Sequence, residues 1–334
     1  MKLSICIPTL NREDFIKDTL DSLIINNSPE IEIIIVDGSK ENITKDIIDE
    51  YILKGLKVKY MKSDSFIGMD LDVSQAVKES KGDYCWLMSD DDTLVDGAIE
   101  IVLEKIRSKH DLYIMNILFC DKDLNIFGAS NFLNNYRKTN IFNIAIKESF
   151  LEYVDASTSN NALLCFMPAI VFKRTNWFKS DDHLNGYVFG YNHVYKLLRP
   201  TQFLSKYIVE YIPETLLKNR SFNDSYSSSG ILKRYLIDFE GYLKLSEQIF
   251  EDDLIIKKAF INNMKKEHGM LRIIKLRLSI NYIDWKKIKI LLLKTGYHKL
   301  FINTISVIHF FKLDKFFVPI LHKANMSLKY FKAR

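Results

Sequence analysis

The first 120 residues alternate between short apolar runs and amphipathic stretches with helical spacing, and this alternation strongly constrains the fold. The apolar runs predict strands at residues 3–10, 31–36, 56–61, 84–88 and 111–120. Strands that alternate with helices over this length favour right-handed crossovers and a mostly parallel sheet with helices on both faces. We therefore predict an α/β, Rossmann-like fold for this part of the chain.

Two of the intervening helices have capping signals at their starts. Asn11 is followed three residues later by Asp14, which predicts that Asn11 is the N-cap of the first helix. Asp96 precedes an amphipathic stretch at residues 97–107, and we expect it to cap that helix in the same way.

Acidic residues follow the ends of two predicted strands. Asp37 follows the second strand, and the fourth strand runs into Asp90, Asp91 and Asp92. The carboxyl ends of parallel strands meet at the edge where open α/β sheets bind ligands, so these acids should share one rim. Three adjacent carboxylates repel one another, and a cation would offset that repulsion. The pattern predicts a divalent-metal site for a phosphorylated substrate; the alternative is a solvated turn that caps the next helix.

The order and spacing of four short segments carry a family resemblance. They are residues 4–12 (SICIPTLNR), residues 34–39 (IIVDGS), Gly68 and Gly82 with thirteen residues between them, and residues 89–92 (SDDD). Over roughly residues 1–120 the chain resembles family 2 glycosyltransferases of the GT-A fold. Residues 84–92 look most like bacterial abequosyltransferase-type enzymes, which build surface polysaccharides. The resemblance implies a nucleotide-sugar donor and a glycan acceptor.

The resemblance also implies roles for residues of the first two segments. Pro8, Thr9 and Asn11 occupy the positions where the family lines the pocket for the base and ribose. Asp37 stands where a carboxylate accepts a hydrogen bond from a pyrimidine ring, and a carboxylate suits a ring N–H. A pyrimidine nucleotide is therefore the expected carrier of the donor sugar.

A metal role is implied for the aspartate run. Counted back from the following helix, Asp91 matches the family's direct ligand, with Asp92 beside the metal and Asp90 toward the donor ribose. Mn²⁺ or Mg²⁺ suits carboxylate and phosphate oxygens and would offset the charge on the departing nucleoside diphosphate.

Two departures from the family pattern affect the donor and the catalytic base. Where relatives commonly carry Arg between the two glycines, this chain has residues 72–74 (DVS), so Asp70 or Asp72 is expected to bind a sugar hydroxyl instead. An inverting transfer also needs a base for the acceptor hydroxyl. The family's usual acid pair is absent before residues 194–198, which leaves His193 as a candidate base or metal ligand, with Asp181 and Asp182 as competitors. The alternative for His193 is a structural, hydrogen-bonded residue.

The C-terminal region has a different charge from the rest of the chain. Residues 257–334 contain 18 Lys and Arg against three acidic residues, a net charge of +15, whereas residues 1–256 contain 29 basic and 39 acidic residues, a net charge of −10. Basic, amphipathic helices are typical of surfaces that meet anionic lipid, and a cluster such as Lys286, Lys287 and Lys289 would contribute to binding. The alternative is a helical subdomain with a solvated basic face. Bulky aliphatic residues and the lack of a nucleic-acid motif argue against nucleic acid as the partner.

We therefore predict a catalytic domain at residues 1–220 and a basic, mainly helical appendage at residues 221–334. Within the first, residues 1–120 would bind the nucleotide sugar and residues 121–220 the acceptor. No secretion signal and no spanning apolar segment are visible, with residues 300–311 too short and too polar, so we expect a cytoplasmic enzyme, at most peripheral on the inner face of the membrane. The predicted function is an inverting, metal-dependent glycosyltransferase for lipopolysaccharide or capsule, with a lipid-linked glycan as one expected acceptor. A catalytically degenerate binding subunit and a nucleotidyltransferase are the alternatives.

Overall fold

A computed structural model describes residues 2–63, 68–134, 140–180, 189–221, 223 and 231–308. Within these ranges ten strands form one sheet and twelve α-helices surround or extend it. The strands are β1 Leu3–Thr9, β2 Ile31–Asp37, β3 Val58–Lys62, β4 Tyr84–Leu87, β5 Thr93–Leu94, β6 Leu112–Cys120, β7 Ile126–Ala129, β8 Asn140–Asn143, β9 Ile170–Lys173 and β10 Ile208–Arg220. The helices are α1 Glu13–Ile25, α2 Ile43–Leu53, α3 Met69–Glu79, α4 Ala98–Lys105, α5 Lys147–Ala156, α6 Arg174–Trp177, α7 Asn192–Leu198, α8 Ile231–Phe250, α9 Leu254–Glu267, α10 Met270–Ser279, α11 Tyr282–Lys294 and α12 Lys299–Ile308.

The predicted α/β architecture is confirmed. The strand order is β3-β2-β1-β4-β9-β6-β10-β5, with β7 paired to β6 and β8 paired to β10. Strands β3, β2, β1 and β4 pair in that order and all run parallel to one another. Strand β10 runs parallel to β6. Strand β9 runs antiparallel between β4 and β6, so the sheet joins early and late parts of the chain.

The central strands are apolar at successive rather than alternate positions because both of their faces are covered. Strand β2 is buried at all seven positions and β4 at all four. A polar exception is Ser4, which donates a hydrogen bond to Glu32 Oε1 (2.6 Å); that carboxylate also accepts the Gly82 N–H (3.1 Å). A Cβ at Gly82 would come within 2.6 Å of Ser4 Oγ and 2.7 Å of Ser4 N, so the turn before β4 requires glycine.

Both capping predictions are wrong. Helix α1 follows Arg12, and no side chain caps its first turn. Asn11 instead has a left-handed φ of 52°, and its N–H donates to Ser39 Oγ (2.7 Å), which ties the end of β1 to the loop after β2. Helix α4 follows Gly97 rather than Asp96, because the chain turns through a left-handed conformation (φ 80°) that glycine adopts readily.

The C-terminal helices pack against the rest of the molecule. Lys266 of α9 donates hydrogen bonds to the carbonyl oxygens of Val154 (3.1 Å), Asp155 (3.0 Å) and Ser157 (2.5 Å) at the end of α5. A lysine at this position satisfies carbonyl groups that a helix end leaves unpaired. The division between a catalytic domain and a C-terminal appendage at residue 220 remains a prediction.

Among the helices that the structure describes, none combines the length and the apolar character needed to cross a membrane. Residues 309–311 of the apolar stretch considered above lie outside the described ranges.

Candidate active site

The carboxyl ends of β1, β2 and β3 place three polar side chains next to one another. In the sheet register Thr9 is opposite Asp37, and Asp37 is opposite Lys62. The segment that follows β4 carries the three aspartates and joins the same rim, because β4 is parallel to β1. The shared rim predicted from the sequence is therefore present.

Asp37 is fully buried, and both of its carboxylate oxygens accept hydrogen bonds. Oδ1 accepts the Ser39 N–H (2.8 Å), while Oδ2 accepts the Tyr60 hydroxyl (2.8 Å) and faces Lys62 Nζ (3.3 Å). Burial and the hydrogen bond to Asp37 raise the pKa of Tyr60. The carboxylate is thus held in one orientation by Ser39 and Tyr60.

Lys62 is a residue that the sequence interpretation missed. The predicted strand ended at Met61, but β3 extends one residue further, and this extension brings the Lys62 ammonium to Asp37. If the predicted third strand had been extended until it paired with Asp37 of the second strand, Lys62 would have been placed beside Asp37. Lys62 supplies a positive charge at a rim where the sequence indicated that one was lacking.

Asp70 and Asp72 have different surroundings. Asp70 Oδ2 accepts the Gly190 N–H (2.7 Å), so this carboxylate connects α3 to the segment before α7. Asp72 is buried, and its Oδ1 has no hydrogen-bond partner in the part of the chain that the structure describes. Burial raises the pKa of Asp72, a hydrogen bond from Ser63 opposes this, and the charge of Asp37 adds to the increase. Asp72 therefore lies close to Asp37 with one carboxylate oxygen still able to accept a hydrogen bond.

Asp90, Asp91 and Asp92 are all buried, which makes their charged forms costly. Burial raises the pKa of Asp90 to about 7, against an opposing effect of the nearby Arg12 guanidinium. Burial likewise raises the pKa of Asp92 to about 8, and the charge of Asp91 adds to the increase. The pKa of Asp91 is also raised by burial, with Arg12 opposing. Such a group of carboxylates is stabilised by positive charge.

Arg12 supplies part of that charge. Its Nη2 lies 2.6 Å from Asp91 Oδ2, and its Nε lies 3.4 Å from Asp90 Oδ1. The same Nη2 donates to the carbonyl oxygen of Asn223 (3.0 Å), and Asn223 Nδ2 donates to Asp91 Oδ2 (2.9 Å). Arg12 belongs to one of the segments that carry the family resemblance, yet no local sequence pattern pairs it with acids from another segment.

Residues at the end of β10, the last strand along the chain, also contact the aspartate run. Asp92 Oδ1 accepts hydrogen bonds from Asn219 Nδ2 (3.0 Å) and from the Arg220 N–H (2.9 Å). Arg220 is buried; its Nε donates to the carbonyl oxygen of Asp91 (3.1 Å), and its Nη2 pairs with Asp18 (2.5 Å). Asn219, Arg220 and Asn223 were not among the predicted site residues.

The chemistry of the aspartate run fits a hard divalent cation. Asp92 Oδ2 is buried and has no hydrogen-bond partner among the described residues, next to an Asp91 carboxylate held by Arg12. No group of three or more acidic, histidine or cysteine residues within the described ranges is arranged to hold a metal by itself. Mg²⁺ is commonly bound by one or two carboxylates together with phosphate oxygens and water, and the aspartate run provides carboxylates of this kind.

Of the candidate bases, the structure describes only His193. It lies in the first turn of α7, fully buried, and burial lowers its pKa to about 4, although the backbone at Leu164 and Cys165 partly offsets the effect. Burial keeps the ring away from solvent, and both the catalytic and the structural role of His193 stay predictions. Asp181 and Asp182 lie outside the described residues, so the identity of the base stays a prediction.

Comparisons with known proteins agree with this architecture. Residues 4–163 match the family model described as glycosyl transferase family 2. Over 283 residues the chain is 27% identical to abequosyltransferase RfbV of Salmonella typhimurium, covering 81% of this chain and 82% of that protein.

Two solved structures share the fold at low sequence identity. TarS residues 1–349 of S. aureus in complex with UDP-GlcNAc align with a TM-score of 0.63 and 14% identity, covering 100% of this chain and 90% of that one. Mannosyltransferase PcManGT of Pyrobaculum calidifontis, in complex with GDP-Man and Mn²⁺, aligns with a TM-score of 0.51 and 9% identity, covering 93% of this chain and 87% of that one.

Proposed function

Since this chain is a glycosyltransferase with a family 2 domain, we propose that it transfers a sugar from a pyrimidine-nucleotide donor to a bacterial surface glycan, by an inverting and metal-dependent reaction. The observation that carries the proposal is the rim that unites Asp37, Asp91 and Asp92 with the cations Arg12 and Lys62. A nucleoside diphosphate sugar needs a group that recognises its base, a metal site and positive charge near its phosphates, and residues of this rim have the chemistry proposed for each of these tasks. The abequosyltransferase similarity supports a surface glycan as the product.

Each rim residue has a distinct proposed task. Asp37, fixed by Ser39 and Tyr60, accepts a hydrogen bond from the pyrimidine ring. Asp91 and Asp92 hold Mn²⁺ or Mg²⁺, and the bound ion offsets negative charge on the departing diphosphate. Arg12 lies beside Asp90 and Asp91, where its guanidinium adds positive charge close to the phosphates.

The donor sugar is expected to contact Asp72 rather than Asp70. Asp70 is already engaged with the Gly190 amide, whereas Asp72 keeps a carboxylate oxygen without a partner among the described residues. Pro8, Thr9 and Asn11 would border the base and ribose, since they occupy the end of β1 and the turn that follows it.

Thermal melting of the protein with a panel of nucleotides, recorded with and without Mn²⁺, measures nucleotide binding and tests this proposal. We expect UDP or another pyrimidine diphosphate to raise the melting temperature more than GDP or ADP, because a ligand of the folded state stabilises it by mass action.

Asp37→Asn should weaken pyrimidine nucleotide binding about tenfold to a hundredfold, the effect of losing one hydrogen bond to a charged group. Asp49→Asn is the matched control, since it makes the same change at an exposed position of α2. Equal losses for purine and pyrimidine nucleotides in Asp37→Asn would exclude pyrimidine recognition.

We further propose that the C-terminal helices hold the enzyme on anionic membrane. On α11 the exposed residues combine apolar and basic side chains: Ile283 and Ile290 are 69% and 58% exposed, and Lys286, Lys287 and Lys294 are exposed with them. A helix face of this kind adsorbs to the interface through apolar contact and attraction to acidic lipid. Lys289 belongs less to this face, because its Nζ donates to Asn303 of α12.

Sedimentation with liposomes tests the membrane proposal. Binding should increase with the fraction of acidic lipid and decrease with salt, since each surface lysine contributes about 1 kcal/mol within a Debye length. The variant Lys286→Glu/Lys287→Glu should release the protein, whereas Lys57→Glu/Lys78→Glu, at exposed positions of the first 120 residues, should not. Binding that is insensitive to both salt and the α11 variant would leave these helices a purely structural role.

A further inference from the structure

A cavity of about 470 Å³ lies where the catalytic part of the chain meets the C-terminal helices. We call it the C-terminal cavity. Its wall includes Asn160 and Tyr191 from the catalytic part and Arg234, His268, Arg272 and Lys275 from α8 to α10. None of these residues belongs to the nucleotide rim described above.

The C-terminal cavity carries excess positive charge. Arg234 pairs with Asp238 (3.2 Å), and Arg272 pairs with Glu267. Lys275 has no carboxylate within ion-pair distance among the described residues, so three basic side chains face two acids. Burial and the neighbouring Arg272 charge lower the pKa of Lys275. A bound anion would balance this charge.

The polar wall of the cavity is held in place before any ligand arrives. Asp238 accepts hydrogen bonds from the Tyr191 hydroxyl (2.6 Å) and from His268 Nε2 (3.0 Å). Asn160 and His268 are 4% and 5% exposed, and Asn160 Oδ1 and His268 Nδ1 have no hydrogen-bond partner within the described ranges. Buried polar atoms normally have partners. Both atoms are acceptors when His268 Nε2 donates to Asp238, so a hydroxyl group of a bound sugar, and not a phosphate oxygen, could pair with them.

The cavity is also connected to the nucleotide rim through two consecutive residues. The Gly190 N–H donates to Asp70 of α3, and the hydroxyl of the next residue, Tyr191, donates to Asp238 of α8. A molecule bound against Tyr191 therefore lies next to the residue whose amide hydrogen-bonds to α3.

We propose that the C-terminal cavity binds a phosphoryl group of the acceptor, with Lys275 and Arg272 contacting the phosphate oxygens and the Tyr235 ring lying against the adjacent sugar. Arginine and lysine are the usual partners of phosphate, and Tyr235 lines the same cavity. This inference rests on the proposed glycosyl transfer, and it identifies the acceptor class as a phosphorylated glycan. A lipid-linked sugar diphosphate and a free sugar phosphate both present this chemistry.

Calorimetric titration of the full chain in EDTA tests the proposal without relying on turnover. The probes are an N-acetylglucosamine diphosphate with a short alkyl chain, N-acetylglucosamine 1-phosphate, inorganic pyrophosphate and the neutral alkyl glycoside. We expect the alkyl diphosphate sugar to bind, the sugar phosphate and pyrophosphate to bind more weakly, and the neutral glycoside to show no binding. A sugar 1-phosphate that binds as tightly as the alkyl form identifies the free sugar phosphate as the source of the group.

Three variants locate the binding. Lys275→Gln should weaken binding of the alkyl diphosphate sugar by roughly tenfold, the effect of one lost charge-assisted contact, and Lys275→Arg should retain it. Lys258→Gln, an exposed position on α9 outside the cavity, is the matched control. An unchanged affinity in Lys275→Gln, or neutral-glycoside and pyrophosphate affinities equal to that of the diphosphate sugar, would overturn the proposal. Binding of UDP with Mn²⁺ is measured separately, so that an absence of binding in the C-terminal cavity is distinguished from an absence of nucleotide binding at the rim.

Discussion

Replacing Asp91 with Asn is expected to reduce sugar transfer by about three orders of magnitude and to abolish the additional stabilisation that Mn²⁺ gives to bound nucleoside diphosphate. The substitution removes the charged ligand that we assign to the metal. A bound metal stabilises transition-state charge by several kcal/mol, and each 1.36 kcal/mol changes the rate tenfold. The fold should persist, because the change keeps the side-chain size and leaves Arg12 beside Asp90 at 3.4 Å.

Thermal melting with UDP, recorded with and without Mn²⁺, measures the binding part of this effect, and transfer from the donor measures the catalytic part. Without metal the melting temperature should change little, since the lost repulsion between neighbouring carboxylates is offset by the lost ion pair with Arg12. Asp96→Asn is the control, because Asp96 is exposed and lies between β5 and α4, outside the aspartate run. A variant at Asp91 that keeps its Mn²⁺-linked stabilisation would remove Asp91 from the metal site.

Replacing Arg220 with Met is expected to lower the free energy of unfolding by about 3 kcal/mol, in the range found when a buried, hydrogen-bonded charge is removed. Methionine keeps much of the side-chain volume above Phe15 but provides no donor for the carbonyl oxygens of Asp91 and Lys122. Transfer should also decrease, because the backbone of the aspartate run loses its support.

Urea denaturation measures the change in unfolding free energy, and an unchanged m-value would show that the unfolded state is not affected. Asp18→Asn is the matched control. It breaks the same ion pair at its exposed end, since the Asp18 side chain is 46% exposed, and should cost less than about 1 kcal/mol with activity retained. Equal losses in the two variants would mean that the buried hydrogen bonds of Arg220 contribute little.

The sequence predicted those features of the molecule that depend on local patterns. Apolar periodicity predicted the order of strands and helices through residue 120 except for the two-residue strand β5, and the ends of the strands indicated the rim that holds Asp37 and Asp91. Helix starts were less predictable, because Asn11 could cap α1 or adopt a left-handed turn, and its contact with Ser39 decides the outcome. That contact joins segments that are distant in sequence.

The supporting residues of the site could not be predicted for the same reason. Arg220 and Asn219 reach Asp91 and Asp92 only because β10 inserts beside β6, and no local pattern near residue 220 encodes this pairing. The position of β9 between β4 and β6 is likewise a property of the assembled sheet. Lys62 differs, since a strand one residue longer would have revealed it.

The late arrival of β9 and β10 has a consequence for synthesis on the ribosome. When translation has produced residues 4–163, the stretch that matches the family model, β4 and β6 still lack the strand that lies between them. At about 5–20 residues per second the nascent chain waits several seconds for residues 170–220, with apolar strand edges unpaired. Unpaired edges are sites of association with other chains, so the growing polypeptide depends on protection until its last strand has emerged.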